Sequence, residues 1–216
     1  MGENVTIGEG VIIEDGAVIG SNTIISHHCV IGQNCQIGAH VSISNHSALH
    51  YAKVSDYAKI GAHCAIGKEG FGFEMTKDGA VRLPHLGLVE IGLQAEIGAH
   101  CAIDRGVLGN TVIGDYVMID NHVHIAHNVQ IGQKSLILAQ VGIAGSSIIG
   151  QNVIIGGQVG IKDHVTIADD VMVMSGSKVT KSLEKAGAYA GFPAQDAKQH
   201  WREMAAIKKL LRKAGD

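Results

Sequence analysis

Proline is nearly absent from this chain, at two residues in 216, and aromatic residues make up only 4% of it. Its core must therefore be aliphatic, and few of its turns can be fixed by a pyrrolidine ring. Charge is sparse as well. Asp, Glu, Lys and Arg together reach 17%, with a formal net charge of −3, which excludes the strongly basic surface of a nucleic-acid-binding domain. No apolar run approaches the roughly 18 residues of a membrane-spanning helix. The opening "MGENVTIGEG" has neither the basic nor the apolar region of a secretory signal, so a cytoplasmic location is expected.

What the chain does have is glycine, at 29 residues, and a repeat. An aliphatic anchor recurs every six residues from Ile7 to Leu49, at Val54, Ile60 and Ile66, at Ile91, Ile97 and Ile103, and from Ile113 through Val179. A period of six fits neither an α-helix nor a simple two-sheet domain. It fits a hexapeptide β-helix, in which each hexad supplies one short strand and one corner. Three hexads complete a triangular coil, so the 26 anchors predict eight to nine coils of an all-β domain over residues 1–182. Cys29, Cys35, Cys64 and Cys101 each lie four after an anchor, a small inward position. They read as buried hydrophobes, not as ligands or disulfides.

Two excursions interrupt the repeat. Residues 68–88 form an inserted loop, in which "FEMTKDGAVRL" reads as a β-hairpin turning at Asp78-Gly79 and which holds Phe71 and Phe73. "DRGVLGN", residues 104–110, lengthens a second hexad by four. Excursions from a solenoid tend to cluster on a functional face. Beyond Ser182 the repeat stops, and residues 183–216 read as a linker and an amphipathic helix with Trp201, Met204, Ile207 and Leu210 on its stripe. From 194 to 216 there are six basic residues against three acidic ones. Such a helix suits an acidic partner or a membrane surface, and equally a cap on the last coil or a trimer-forming bundle.

Thirteen histidines cannot all be catalytic. His28, His40, His46, His63, His100 and His122 sit three after an anchor, and "GAHCAI" occurs twice, so these read as corner fillers. His127 is two after Ile125, at a corner pointing outward. Gly145 fills the same slot three hexads later, one coil above at about 4.8 Å. A glycine stacked on an outward histidine leaves a backbone N–H open, which sets a base beside a potential oxyanion donor. His164 lies on the same edge one coil higher. A zinc site of the gamma-class carbonic anhydrase kind, from His122 and His127 with His100 as third ligand, is the alternative from another class, as is a purely scaffolding trimer.

The stretches "GKEGFGF", "LPHLGLVEIG", "AIDRG", "TVIGDYVMIDNHVHIAHNVQIG", "IAGSSIIGQNVIIGGQVGIKDHVTI" and "AKQHWREM" together resemble the UDP-3-O-acylglucosamine N-acyltransferase family of lipid A biosynthesis. The resemblance runs from about Val5 to Met204. It implies a homotrimer of left-handed β-helices, with sites between subunits, moving a 3-hydroxyacyl group from acyl carrier protein to the amine of a UDP-sugar. No bound cofactor is implied. Carried onto this chain, His127 is the general base, Gly145 the oxyanion donor, Asp120 the group that orients His127, and His164 a further site histidine. Phe71, Phe73, Asn121 and His124 are expected to touch substrate, and Lys178, Trp201 and Arg202 the donor or its carrier.

This sequence departs from the family in two ways. It begins directly in the repeat, without the family's uracil-gripping domain. It also carries Lys178 in "MSGSKVTKS" where the family has an acyl-limiting methionine, which is closer to coenzyme A-dependent sugar acetyltransferases. A trimer is also expected from outward apolar residues, taken to include Val123, Val129 and Leu138, with the Phe71–Phe73 loop of one subunit reaching the His127 of another.

Overall fold

Two residues are enough for a strand here, because each strand is held by neighbours stacked above and below it. The computed structural model describes residues 1–191 and 197–214. It shows three parallel sheets of ten, nine and eight strands wound as a left-handed β-helix, with a separate two-stranded hairpin. Anchor stacks on anchor: Ile103 pairs with Ile125, Ile125 with Ile143, Ile143 with Ile161 and Ile161 with Val179. Ile25, Ile43, Ile60, Ile97 and Ile125 are all at most 1% exposed. Branched side chains suit such a column, since they pack well on a pleated surface.

Strand alternation places the residue two before each anchor on the same inward side. Cys29, Cys35, Cys64 and Cys101 occupy that slot and are buried free thiols. So do Val123 and Val129, at 1% and 0% exposed, which corrects their expected outward placement. The outward apolar column lies elsewhere, one before the anchors of the first sheet, at Met118, Leu136 and Met172, with Leu138 and Met174 beside it.

Where the period is regular, the corner turns through a left-handed residue three after the anchor. Asn22, His28, Asn34, His46, His100, His122 and Asn128 all have φ between 56° and 61°, a region that Asn and His tolerate better than branched residues. The corner reading of the histidines holds. His28, His46, His63, His100 and His122 stack in one ladder, with ring centroids 4.9–5.1 Å apart. His100 and His122 meet face to face, so their nitrogens do not converge on a metal with His127, which sits on another corner.

Two boundaries differ from the sequence reading. The hairpin strands Phe73–Thr76 and Gly79–Arg82 pair Thr76 with Gly79, so Lys77-Asp78 is the turn. The solenoid continues past Ser182: Leu183 bridges Ile167, and the strand Gly187–Tyr189 pairs with Val171–Val173. Its anchors fall out of the six-residue period, which hid them. The helix α1 spans Ala197–Ala214; residues 192–196 lie outside the described residues. No helix among those residues is long and apolar enough to cross a membrane.

Candidate functional site

The strand His124–Ile125 delivers His127 to the corner after the second sheet, and the segment 104–110 then fixes its ring. Asn128 Oδ1 lies 3.1 Å from His127 Nδ1. The same oxygen accepts Val107 N–H at 3.0 Å, and Asn128 Nδ2 donates to Gly109 O at 3.0 Å. Flipping that amide would lose both bonds, so the oxygen faces the imidazole and Nδ1 must carry the proton. His127 Nε2 is left as a lone pair, free to take a proton.

Gly145 lies directly above. A Cβ there would stand 2.7 Å from His127 Cε1 and 2.8 Å from Nε2, so no side chain fits while the ring keeps its place. At equivalent corner slots a side chain from the next coil takes the backbone N–H below: Asn121 Oδ1 accepts Ala99 N–H, and Asp169 Oδ1 accepts Gln151 N–H, both at 2.7 Å. Among the described residues Asp163, above Gly145, makes no such bond and Gly145 N–H has no acceptor, which leaves it open beside the base. The pair lines a cleft of about 670 Å³. Its floor runs up the second sheet over Gly142 and Gly160, with Ala126, Ala144 and Ile161 as apolar walls. At the upper end the stem of Lys178 lies over Gly160, 3.3 Å from where a Cβ would be.

Residues 1–33, 10–45 and 110–145 match the bacterial transferase hexapeptide family (six repeats), and 147–181 match the hexapeptide repeat of succinyl-transferase. The chain is 38% identical over 150 residues to the UDP-3-O-acylglucosamine N-acyltransferase of Bordetella pertussis, covering 68% of this chain and 41% of that protein. The protein of the same name from Saccharophagus degradans is 51% identical over 140 residues, covering 65% and 41%. The chain belongs to the bacterial transferase hexapeptide-repeat family. It spans less than half the length of these curated relatives. Among solved structures, the Arabidopsis UDP-N-acetylglucosamine acyltransferase superposes with a TM-score of 0.79 at 20% identity, covering 88% of this chain and 66% of that one. The Bacteroides fragilis UDP-N-acetylglucosamine acyltransferase gives 0.75 at 24%, covering 85% and 69%. At such identities they speak for the fold.

Of the residues expected at the site of this hexapeptide-repeat protein, the cleft gathers His127, Gly145, His124, Phe71 and Lys178. Phe71 belongs to the same chain as His127, so a loop from a second subunit is not needed to wall the cleft. Phe73 supports from behind, packing edge-on to Phe71 at 4.8 Å beneath the Arg82 guanidinium. Asp120 does not reach His127. Its Oδ1 accepts the N–H and side-chain amide of Asn121, and Asn128 does the orienting. Asn121 spends its oxygen on Ala99, as a corner clamp. His164 is a left-handed corner residue donating its N–H to Gly145 O at 3.1 Å, outside the cleft lining. Trp201 and Arg202 are on α1, exposed and also outside that lining.

Four residues escaped the sequence reading. Asn128 stood within the quoted "IAHN", but only the structure shows its amide locked. Asp104, paired with Lys68, lines the lower end of the cleft. His85, 2% exposed, donates Nδ1–H to Leu83 O at 3.0 Å and meets the His127 ring edge-on, with centroids 5.4 Å apart. Its signal was a histidine inside an excursion rather than at a repeat corner.

Proposed function

We propose that this chain is the catalytic β-helix of an N-acyltransferase that moves an acyl group from a thioester to the amine of an amino sugar. The observation that carries the reading is the free Nε2 of His127 held against the open N–H of Gly145. The amine nitrogen attacks the thioester carbonyl carbon while its proton passes to His127 Nε2. Gly145 N–H receives the developing oxyanion. As the tetrahedral species collapses, the C–S bond breaks and the thiolate recovers the proton from the imidazolium. No covalent enzyme intermediate is needed, and burial pushes the Cys29 and Cys35 thiols up and away from nucleophilic use.

The relatives' name supports a UDP-linked acceptor, and the apolar trough over Gly142 and Gly160 supports a 3-hydroxyacyl group from acyl carrier protein, whose acidic surface the basic α1 would meet. Lys178 at the trough's end favours a second reading, a short acyl group from acetyl-coenzyme A. Offering both thioesters with UDP-glucosamine separates the two. The exposed column at Met118, Leu136 and Met172 supports a homotrimer about an axis parallel to the solenoid. Under either donor, His127→Ala lowers turnover about 10²–10⁴-fold with the fold intact, and near-normal turnover in a folded variant would remove the base assignment.

A further inference from the structure

A break in the hexad register builds the lower end of the cleft. Between Ile66 and Lys68 the pairing with the strand Ala102–Asp104 slips at Gly67, whose φ is +80°. Bulges of this kind re-aim side chains. Here the slip pairs Lys68 with Asp104, and the Lys68 ammonium contacts Asp104 Oδ1. Only 2% of the Asp104 side chain is exposed, and it is the one acid among the buried residues described. It lines the cleft beside Phe71 and His124. Among the described residues its Oδ2 accepts no hydrogen bond: His124 Nε2 stands 3.8 Å away, beyond hydrogen-bond range. Gly70 lets the inserted loop close over it, since a Cβ there would lie 2.8 Å from that oxygen. A carboxylate with one oxygen paired and the other open to the cleft suits a ligand that brings a donor.

We propose that Asp104, held in place by Lys68, reads the acceptor: its Oδ2 takes a hydrogen bond from a free hydroxyl of the sugar ring whose amine meets His127. This rests on the acyl-transfer reading above. The strand of Asp104 pairs with that of His124, about 4.8 Å below it, a separation that substituents of one pyranose ring span. A hydroxyl fits better than the amine itself, because an ammonium held by a carboxylate would keep the proton that attack must release. The donor lies on the other side, since the oxyanion site and the apolar trough run upward from Gly145 while the polar groups lie below.

Binding of UDP-glucosamine and its 3-, 4- and 6-deoxy analogues to the full chain, measured by calorimetry without any thioester, tests this. The wild type is expected to bind one deoxy analogue at least about 10-fold more weakly than the parent. In Asp104→Ala that ratio falls to within about twofold, and in Asp104→Asn, which keeps the packing, it falls at least about threefold, with thermal unfolding showing both variants folded. A wild type that binds none of the four or discriminates against no analogue, or an unchanged ratio in both variants, overturns the assignment. Turnover is read separately: a collapsed ratio without acyl transfer from any thioester would sink the acyltransferase reading and keep Asp104 as a sugar-reading residue.

Discussion

A single amide plane decides what His127 can do. Asn128 is held by Val107 and Gly109, so the imidazole has one tautomer. Replacing Asn128 with Ala frees the ring to rotate and to exchange its proton between nitrogens. We expect about 10–10²-fold slower turnover, with the acceptor KM changed less than threefold, in steady-state assays across acceptor concentration; a KM effect alone would make Asn128 a binding residue. Gly145→Ala presses on the ring from above, where a Cβ has 2.7 Å. It should lower turnover about 10²-fold or more while melting within a few degrees of wild type, and unchanged turnover would show that the stacked pair is not the reaction centre. Residue-scale roles were half legible in the sequence. Counting 18 residues from His127 reaches Gly145 without any coordinates. Asp120 was expected from the resemblance alone, and within this chain it bonds Asn121 and does not reach His127. Asp120, one past Ile119, leaves the first sheet, whereas His127, two past Ile125, leaves the second.

At the scale of elements, the two excursions act together. Arg105 is buried, its guanidinium over the Tyr51 ring at 3.5 Å and its Nε donating to Gly87 O at 2.7 Å, so the segment after Asp104 is tied to the inserted loop. That loop brings Phe71 to the cleft, and the 104–110 segment holds Asn128. The sequence located both insertions, because breaks in a strict period are easy to see. It could not show that they touch each other, since their contacts are set by side chains outside the repeat. The regular elements were the opposite case: inward slots, corner histidines and buried thiols all follow from the period. The hydrogen bond shared with Cys64, and burial, push the Cys101 thiol up, as burial does for Cys29 and Cys35. A thiol reagent at neutral pH should therefore label none of Cys29, Cys35 and Cys101 within the time that labels all four cysteines in denaturant. Mass spectrometry showing rapid native labelling would place these side chains outside the core.

For the whole molecule, each coil contacts mainly its neighbours, so stability sums over stacked anchors. Truncating one in mid-column, Ile125→Ala, is expected to cost about 2–5 kcal/mol in chemical denaturation, and a cost below about 1 kcal/mol would mean the column relaxes around the gap. A trimer should sediment at about three times 22.6 kDa if the Met118–Leu136–Met172 column is the buried face, and Leu136→Lys should dissociate it. Because Phe71 and His127 share one chain's cleft, mixing His127→Ala chains with loop-deleted chains should restore no activity. Recovery would mean that the wall and the base come from different subunits. The central claim is that this cleft acylates an amine with His127 as base. Its most direct measurement is mass-spectrometric detection of N-acylated UDP-glucosamine formed from 3-hydroxyacyl carrier protein or acetyl-coenzyme A by wild type and by His127→Ala. The account predicts an amide product from one of these donors, formed about 10²–10⁴-fold more slowly by the variant. An equal rate in the folded variant, or no amide from either donor, would contradict it.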